Sequence, residues 1–173
     1  EIPPKEIIIK ISEDCGIKPS NLCIILTPTN SMAGNIQIVA RVLEVAIHKA
    51  HELNFPLENI IDGMGTTPIP PIGKNFIEGM GRTNDSIIYG GTVILICKGS
   101  DKELKNLSKN LTSKTSKDYG KPFKDIFEAY NRDFYKIDGS LFSPAKVIIN
   151  SNESGKTFIS GEINYKLLKK SFF

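Results

Sequence analysis

The chain has 173 residues, of which 40% are hydrophobic and 24% charged, and its formal net charge is +3. This balance is typical of a globular protein with a sizeable core. No apolar run approaches the roughly twenty residues of a membrane span, and the lysines are scattered, without the dense basic block of a nucleic-acid footprint. We therefore expect neither a membrane segment nor a nucleic-acid partner.

The first predicted elements are a helix, a strand, a loop and a second helix. Isoleucines at helical spacing predict a helix at Lys5–Asp14, with Gly16 as its C-terminal stop. The aliphatic run NLCIILTPT, Asn21–Thr29, predicts a buried strand. NSMAGN, residues 30–35, predicts a loop, and Ile36–Leu53 predicts one long amphipathic helix.

Glycine and proline dominate the next stretch, Asn59–Gly73, which begins as a short strand and excludes a helix. A helix is predicted at about 82–89, because Gly90-Gly91 follows as a stop signal. TVILIC, Thr92–Cys97, predicts a strand.

The remaining elements follow in quick succession. Asp101–Leu111 predicts an amphipathic helix, and TSKTSKDYGK predicts a polar linker at 112–121. A helix is predicted at Phe123–Tyr130, a hairpin at Ala145–Glu162 and a short helix in NYKLLKKSFF at 164–173. Strands and helices that interleave and end in a hairpin indicate an α+β fold, a mixed sheet with packed helices.

The cysteines predict the redox compartment. Cys15, Cys23 and Cys97 are odd in number and lack CxxC spacing, and two of them lie in apolar segments. This usage predicts buried thiols in a reducing compartment, and the cytoplasm fits best.

Polar residues share one stripe of the helix predicted at Ile36–Leu53. Arg41, Glu44, His48 and His51 are spaced by three, four and three, which places them on one helical face. The stripe allows a solvated face with an Arg41–Glu44 ion pair, a metal site of Glu44, His48 and His51, or a catalytic face with Glu44 as general base in an apolar belt beside Arg41. Spacing alone favours the solvated face.

Other motifs are weaker. The glycine-rich runs DGMGTTPIPP and GMGRTND complete neither nucleotide-binding pattern, so turns are their expected role. Arg82, Asp85 and Tyr89 fall on one helical face, which predicts either an internal salt bridge or the polar wall of a pocket.

Five longer stretches resemble a known family. They are PTNSMAGNIQIVARVLEVAIHKAHEL, GMGTTPIPP, MGRTNDSIIYGG, KDYGKPFKDIFEAYNRDFYKID and LFSPAKVIIN. In this order and spacing they resemble the methenyltetrahydromethanopterin cyclohydrolases of methanogenic and related archaea, over the whole length of the chain. A single short motif would carry far less weight.

The resemblance implies a cytoplasmic enzyme of archaeal one-carbon metabolism and methanogenesis. It would reversibly hydrolyse the methenyl bridge of 5,10-methenyl-tetrahydromethanopterin to N5-formyl-tetrahydromethanopterin, with the pterin as substrate and with no metal or cofactor. The family implies a homotrimer of two-domain α+β subunits with a pterin cleft between the domains. Residues 1–173 would be the C-terminal part of such a subunit, without the amino-terminal part that helps to form the cleft, so a non-catalytic pterin-binding or subunit-interaction module is the alternative.

The resemblance also assigns roles to residues. ARVLE matches the family's catalytic Arg and Glu at Arg41 and Glu44. Glu44 would take a proton from the attacking water and pass it to the departing N10, while Arg41 orients the carboxylate. The pterin contacts expected from polarity and from position in the resembling stretches are Asn35, Gln37, Arg82 and Asp85.

Overall fold

A computed structural model describes residues 2–173 of the chain. None of the helices in this range combines the length and the apolar character needed to cross a bilayer. The α-helices within the described range are α1 (Lys5–Asp14), α2 (Met32–Val39), α3 (Val42–Glu52), α4 (Phe76–Gly90), α5 (Asp101–Asn110), α6 (Phe123–Ala129) and α7 (Tyr165–Phe172).

One mixed sheet organises the fold. Its neighbouring strands run in the order β1-β2-β3-β4, with antiparallel outer pairs and a parallel central pair. The strands are β1 (Ile60–Thr66), β2 (Thr92–Cys97), β3 (Lys146–Ser151) and β4 (Thr157–Gly161). The predicted α+β class is confirmed, as are the predicted first helix, the strand at β2, the helices at α5 and α6, the hairpin and the last helix, within two residues at their ends.

The main core lies between the sheet and helices α3 and α5. Side chains alternate along β2 and β3, so that Val93 and Leu95 of one strand and Val147 and Ile149 of the other are fully buried. Gly65 of β1 lets α3 approach closely, since a Cβ there would lie 2.6 Å from Val42 Cγ1. The sheet therefore fixes the position of α3.

A second, more aromatic core lies among α4, α6 and α7. Tyr89 and Phe123 are fully buried in it, and the Tyr89 hydroxyl donates to Lys121 O at 2.5 Å. The polar run at 112–121 packs beside this core, because the buried Ser113 Oγ donates to Ile88 O at 2.6 Å. This run contains a short 3₁₀ helix at Ser113–Thr115.

The strand predicted at Asn21–Thr29 is wrong. Residues 22–28 belong to no helix or strand, and residues 23–27 make no backbone hydrogen bond with any described residue. Ile25 is 85% exposed and Leu26 is 53% exposed, so the run is not buried either. The sequence has the aliphatic run of a buried strand, but the four-stranded sheet is formed by other segments.

The single helix predicted at Ile36–Leu53 is divided into α2 and α3. Ser31 caps α2, because its Oγ accepts from Gly34 N at 3.0 Å, and residues of the predicted loop are therefore helical. Arg41 has φ −80° and ψ 8°, which ends the regular helix before α3 begins. The predicted loop and the uninterrupted helix are both wrong.

Helix α4 begins earlier than the predicted start near Arg82. Asn75 caps it, since Asn75 Oδ1 accepts from Glu78 N at 3.0 Å. Gly79 and Gly81 lower the helix propensity of the first turns, which is why the pattern alone placed the start later. The Asn75–Glu78 spacing is the capping signal that the prediction missed.

Candidate functional site

The Arg41–Glu44 ion pair lies at the start of α3, directly after the break from α2. Arg41 Nε donates to Glu44 Oε2 at 2.6 Å. The side chains are 60% and 53% exposed, so the predicted apolar belt around them is wrong. Val42 and Ala46 occupy the buried face of the same turns, which leaves the pair on the outer face. An exposed pair of this kind contributes only about 0.2–1 kcal/mol to stability, and its exposure leaves both charged groups accessible to a ligand.

Both charged side chains line an open cavity of about 300 Å³. Its apolar wall includes Phe134 and Phe142, whose rings stack with centroids 4.8 Å apart. Asn84 from α4 adds a polar side chain to the lining. A carboxylate and a guanidinium that share a cavity with stacked aromatic rings can contact a flat ligand that carries polar groups.

Two of the predicted pterin contacts, Asn35 and Gln37, lie on α2 and differ in burial. Asn35 is fully buried, and its Nδ2 donates to Pro70 O at 2.9 Å. Asn35 Oδ1 has no hydrogen-bond partner among the described residues. Gln37 is exposed. Asn35 therefore ties α2 to the loop after β1, and neither residue lines the cavity at Arg41 and Glu44.

Arg82 of α4 is held by neighbouring elements. Its guanidinium pairs with Glu78 at 2.8 Å and donates to Ile72 O at 2.9 Å. Its partner is thus Glu78, one helical turn away, while Asp85 binds other groups. Arg82 also borders a separate polar cavity of about 260 Å³ with Lys124.

Asp85 is a buried carboxyl that joins three helices. It is fully buried on α4, where it accepts from Phe123 N at 2.8 Å and from Ser171 Oγ at 2.6 Å. Burial raises the pKa of Asp85 to about 7, and the two hydrogen bonds only partly offset that effect. The structure gives Arg82 and Asp85 structural contacts, and their role in pterin binding stays a prediction.

Lys49 is the residue that the sequence reasoning missed. It is only 5% exposed on α3, where burial lowers the pKa of its ammonium to about 8 although Asp138 acts in the opposite direction. It borders a cavity of about 400 Å³ beside His48. Its Nζ lies 2.8–3.0 Å from four acceptors, which are Thr112 O, Thr115 Oγ1, Ser140 O and Ser143 Oγ. Lys49 therefore joins α3 to two distant segments, 112–115 and 140–143. The second segment contains Phe142 of the aromatic wall.

The metal interpretation of the stripe gains no geometric support. His48 and His51 are exposed on α3. No group of three or more His, Cys, Asp or Glu side chains within residues 2–173 is arranged to hold a metal ion.

Comparisons with known proteins identify the family that this chain resembles. A family model described as Cyclohydrolase (MCH) matches residues 1–172. Curated relatives named methenyltetrahydromethanopterin cyclohydrolase include one from Methylobacillus flagellatus, 54% identical over 99% of this chain and 53% of its own length. Another, from Methylosinus trichosporium, is 52% identical over 98% of this chain and 65% of its own length. A third, from Xanthobacter autotrophicus, is 49% identical over 99% of this chain and 51% of its own length.

Two facts follow from these matches. The chain spans about half to two thirds of the length of these curated relatives. The relatives are bacterial, so the archaeal and methanogenic setting expected from the sequence is not supported.

Proposed function

The chain belongs to the cyclohydrolase (MCH) family, and we propose that, within a family-length enzyme, it carries the groups that hydrolyse the methenyl bridge of 5,10-methenyl-tetrahydromethanopterin. The product is N5-formyl-tetrahydromethanopterin. The observation that carries this proposal is the 2.6 Å Arg41–Glu44 contact on the wall of an open cavity. The names of the relatives supply the substrate class.

The cavity suits the head of such a substrate. The methenyl bridge is an amidinium-like cation within a flat fused-ring system, so the Glu44 carboxylate attracts its charge and the Phe134–Phe142 wall packs against its rings. A volume of about 300 Å³ lies at the lower limit for small-molecule sites. The described residues therefore accommodate the ring system, and the remainder of the pterin extends beyond this cavity.

Glu44 acts as the proton carrier in this mechanism. Water attacks the methenyl carbon, and its oxygen becomes the formyl oxygen while the bond from that carbon to N10 breaks. Glu44 takes one proton from the water and delivers it to N10, and the second proton is released because the cationic substrate becomes a neutral formyl product. Arg41 engages Oε2 and so orients the carboxylate, which leaves Oε1 for the water.

The biological setting of the proposed reaction is one-carbon metabolism. We place the reaction in one-carbon metabolism without assigning it to methanogenesis, in line with the bacterial relatives. The cytoplasmic location and the homotrimer stay predictions.

Substitution of Glu44 tests the proposal directly. We expect Glu44→Gln to lower kcat by about 10²- to 10⁴-fold, the usual contribution of a general base, when loss of the methenyl absorbance is followed. The matched control is Glu52→Gln, which changes an exposed glutamate of the same helix and should leave kcat unchanged. The assay uses this chain alone and this chain supplemented with the unmatched part of the Methylobacillus flagellatus relative.

Full activity of Glu44→Gln would contradict the general-base role. The alternative function, a non-catalytic pterin-binding module, predicts a different result. In that case the supplemented wild-type chain quenches pterin fluorescence on binding but does not consume the methenyl substrate.

A further inference from the structure

The segment Leu22–Thr27, here called the free strand, has the sequence of a strand and no partner strand. LCIILT contains no charge, glycine or proline, and Pro28 follows it directly. Leu22 is extended, with φ −92° and ψ 126°, and residues 23–27 belong to no helix or strand and make no backbone hydrogen bond with any described residue. An apolar segment whose N–H and C=O groups are free can add to the edge of a sheet.

The side chains of the free strand are also without cover. Ile25 is 85% exposed, and Ile24 and Leu26 are 39% and 53% exposed. The neighbouring α1 shows the same deficit, since Ile7 remains 47% exposed and Ser12 is the only buried residue of that helix. Exposed apolar surface on both α1 and the free strand is typical of regions that a partner covers.

The free strand is nevertheless fixed in position at its C-terminal end. Ser31 Oγ donates to Pro28 O at 2.6 Å, and a Cβ at Gly34 would collide with the same carbonyl. Pro28 is therefore packed on the first turn of α2. A segment that is anchored at one end loses less conformational entropy on binding than one that is free at both ends.

We propose that the free strand is a strand-addition site, and that its occupant is a strand from the part of a family-length cyclohydrolase that this chain does not match. The curated relatives supply the length for such an occupant, since the chain covers only 51–53% of two of them. A second copy of this chain could offer its own free strand or the outer edge of β1 or β4. Two free strands would form only an isolated two-stranded ribbon, which is marginally stable at best. Pairing with an edge strand of a second copy would give a dimer of this chain, which its mass would reveal. The proposal rests on family membership and is independent of the proposed reaction.

Amide hydrogen exchange tests the pairing. The probe is the unmatched part of the Methylobacillus flagellatus relative, produced as a separate polypeptide and added to this chain. We expect exchange at residues 23–27 to slow by about tenfold or more at every second amide, because a strand that pairs along one edge donates from alternate residues. If the mixture does not form a complex, the two polypeptides are joined through a Gly/Ser linker and the measurement is repeated at high effective concentration.

A matched pair of variants locates the contact. Ile25→Asp should weaken the complex by at least about tenfold, because it places a carboxylate without a partner against an apolar surface. The control is Ile159→Asp, at a 60% exposed isoleucine of β4, and it should bind as the wild type does. Analytical ultracentrifugation measures both affinities.

Three results would overturn the proposal. The first is unchanged exchange at residues 23–27 in the complex or in the linked protein. The second is loss of binding in Ile159→Asp with none in Ile25→Asp. The third is alternate-amide protection in this chain alone at the mass of a dimer, which would identify a second copy as the occupant. Exchange and mass do not depend on turnover, so a complex that forms but does not hydrolyse the substrate contradicts only the proposed function.

Discussion

Two six-residue segments of similar composition end in opposite environments. TVILIC forms β2, pairs with β1 and β3, and buries Val93, Leu95 and Cys97 completely. LCIILT forms the free strand at residues 22–27, which pairs with no described strand and leaves Ile25 85% exposed. A run of aliphatic residues makes both segments competent to be strands, but burial depends on the neighbours that tertiary structure supplies.

Truncation of a leucine in each segment should show the largest difference in the free energy of unfolding. We expect Leu95→Ala to lower the free energy of unfolding by about 2–5 kcal/mol, because it opens a cavity at a fully buried site. Leu26→Ala removes the same atoms from a half-exposed site and should change stability by only about 0.5 kcal/mol. Urea unfolding measures both. Equal losses in the two variants would mean that the free strand packs against this chain.

Lys49 allows the same comparison of buried and exposed sites for a polar side chain. We expect Lys49→Met to destabilise the chain by about 1–3 kcal/mol, since the buried acceptors Thr112 O and Ser143 Oγ lose their donor. Lys105→Met, at an exposed lysine of α5, is the matched control and should be nearly neutral. Similar urea midpoints for the two variants would show that water replaces the Lys49 ammonium without cost.

Asp85 should make the stability of the folded chain depend on pH. Its folded-state pKa, raised by burial to about 7, exceeds the ordinary value of 3.8. The folded state therefore holds the proton more tightly, and the resulting stability is present below about pH 4 and is lost as the pH rises through about 7. Asp85→Asn should remove this decline from a series of thermal unfolding curves. A decline of the same size in the variant would assign it to other groups.

Thiol labelling should distinguish the free strand from β2 by the reactivity of their cysteines, without any substitution. Cys23 of the free strand is exposed, whereas Cys97 of β2 is buried and burial raises its pKa to about 11. A maleimide should therefore modify Cys23 and the exposed Cys15 in the native protein, and Cys97 only in urea. Mass spectrometry counts the labels. Modification of Cys97 at the native rate of Cys23 would contradict the paired position of β2. The sequence predicted buried thiols, and for Cys15 and Cys23 that prediction is wrong.

Local patterns in the sequence determined much of this protein. The apolar run TVILIC, the leucine spacing of α5 and the turn residues between β3 and β4 are each patterns of a few residues, so the elements were predictable. The three-residue step from Arg41 to Glu44 is also local, and it was enough to bring the two side chains into contact.

Tertiary structure alone decided which of these residues are buried. Lys49 belongs to the same helix as the predicted catalytic pair, but its burial depends on acceptors 63 to 94 residues further along the chain. Arg41 and Glu44 are exposed because α3 directs Val42 and Ala46 to the sheet. LCIILT and TVILIC differ for the same reason. Periodicity sets which side chains share a face, and only long-range packing determines what that face meets.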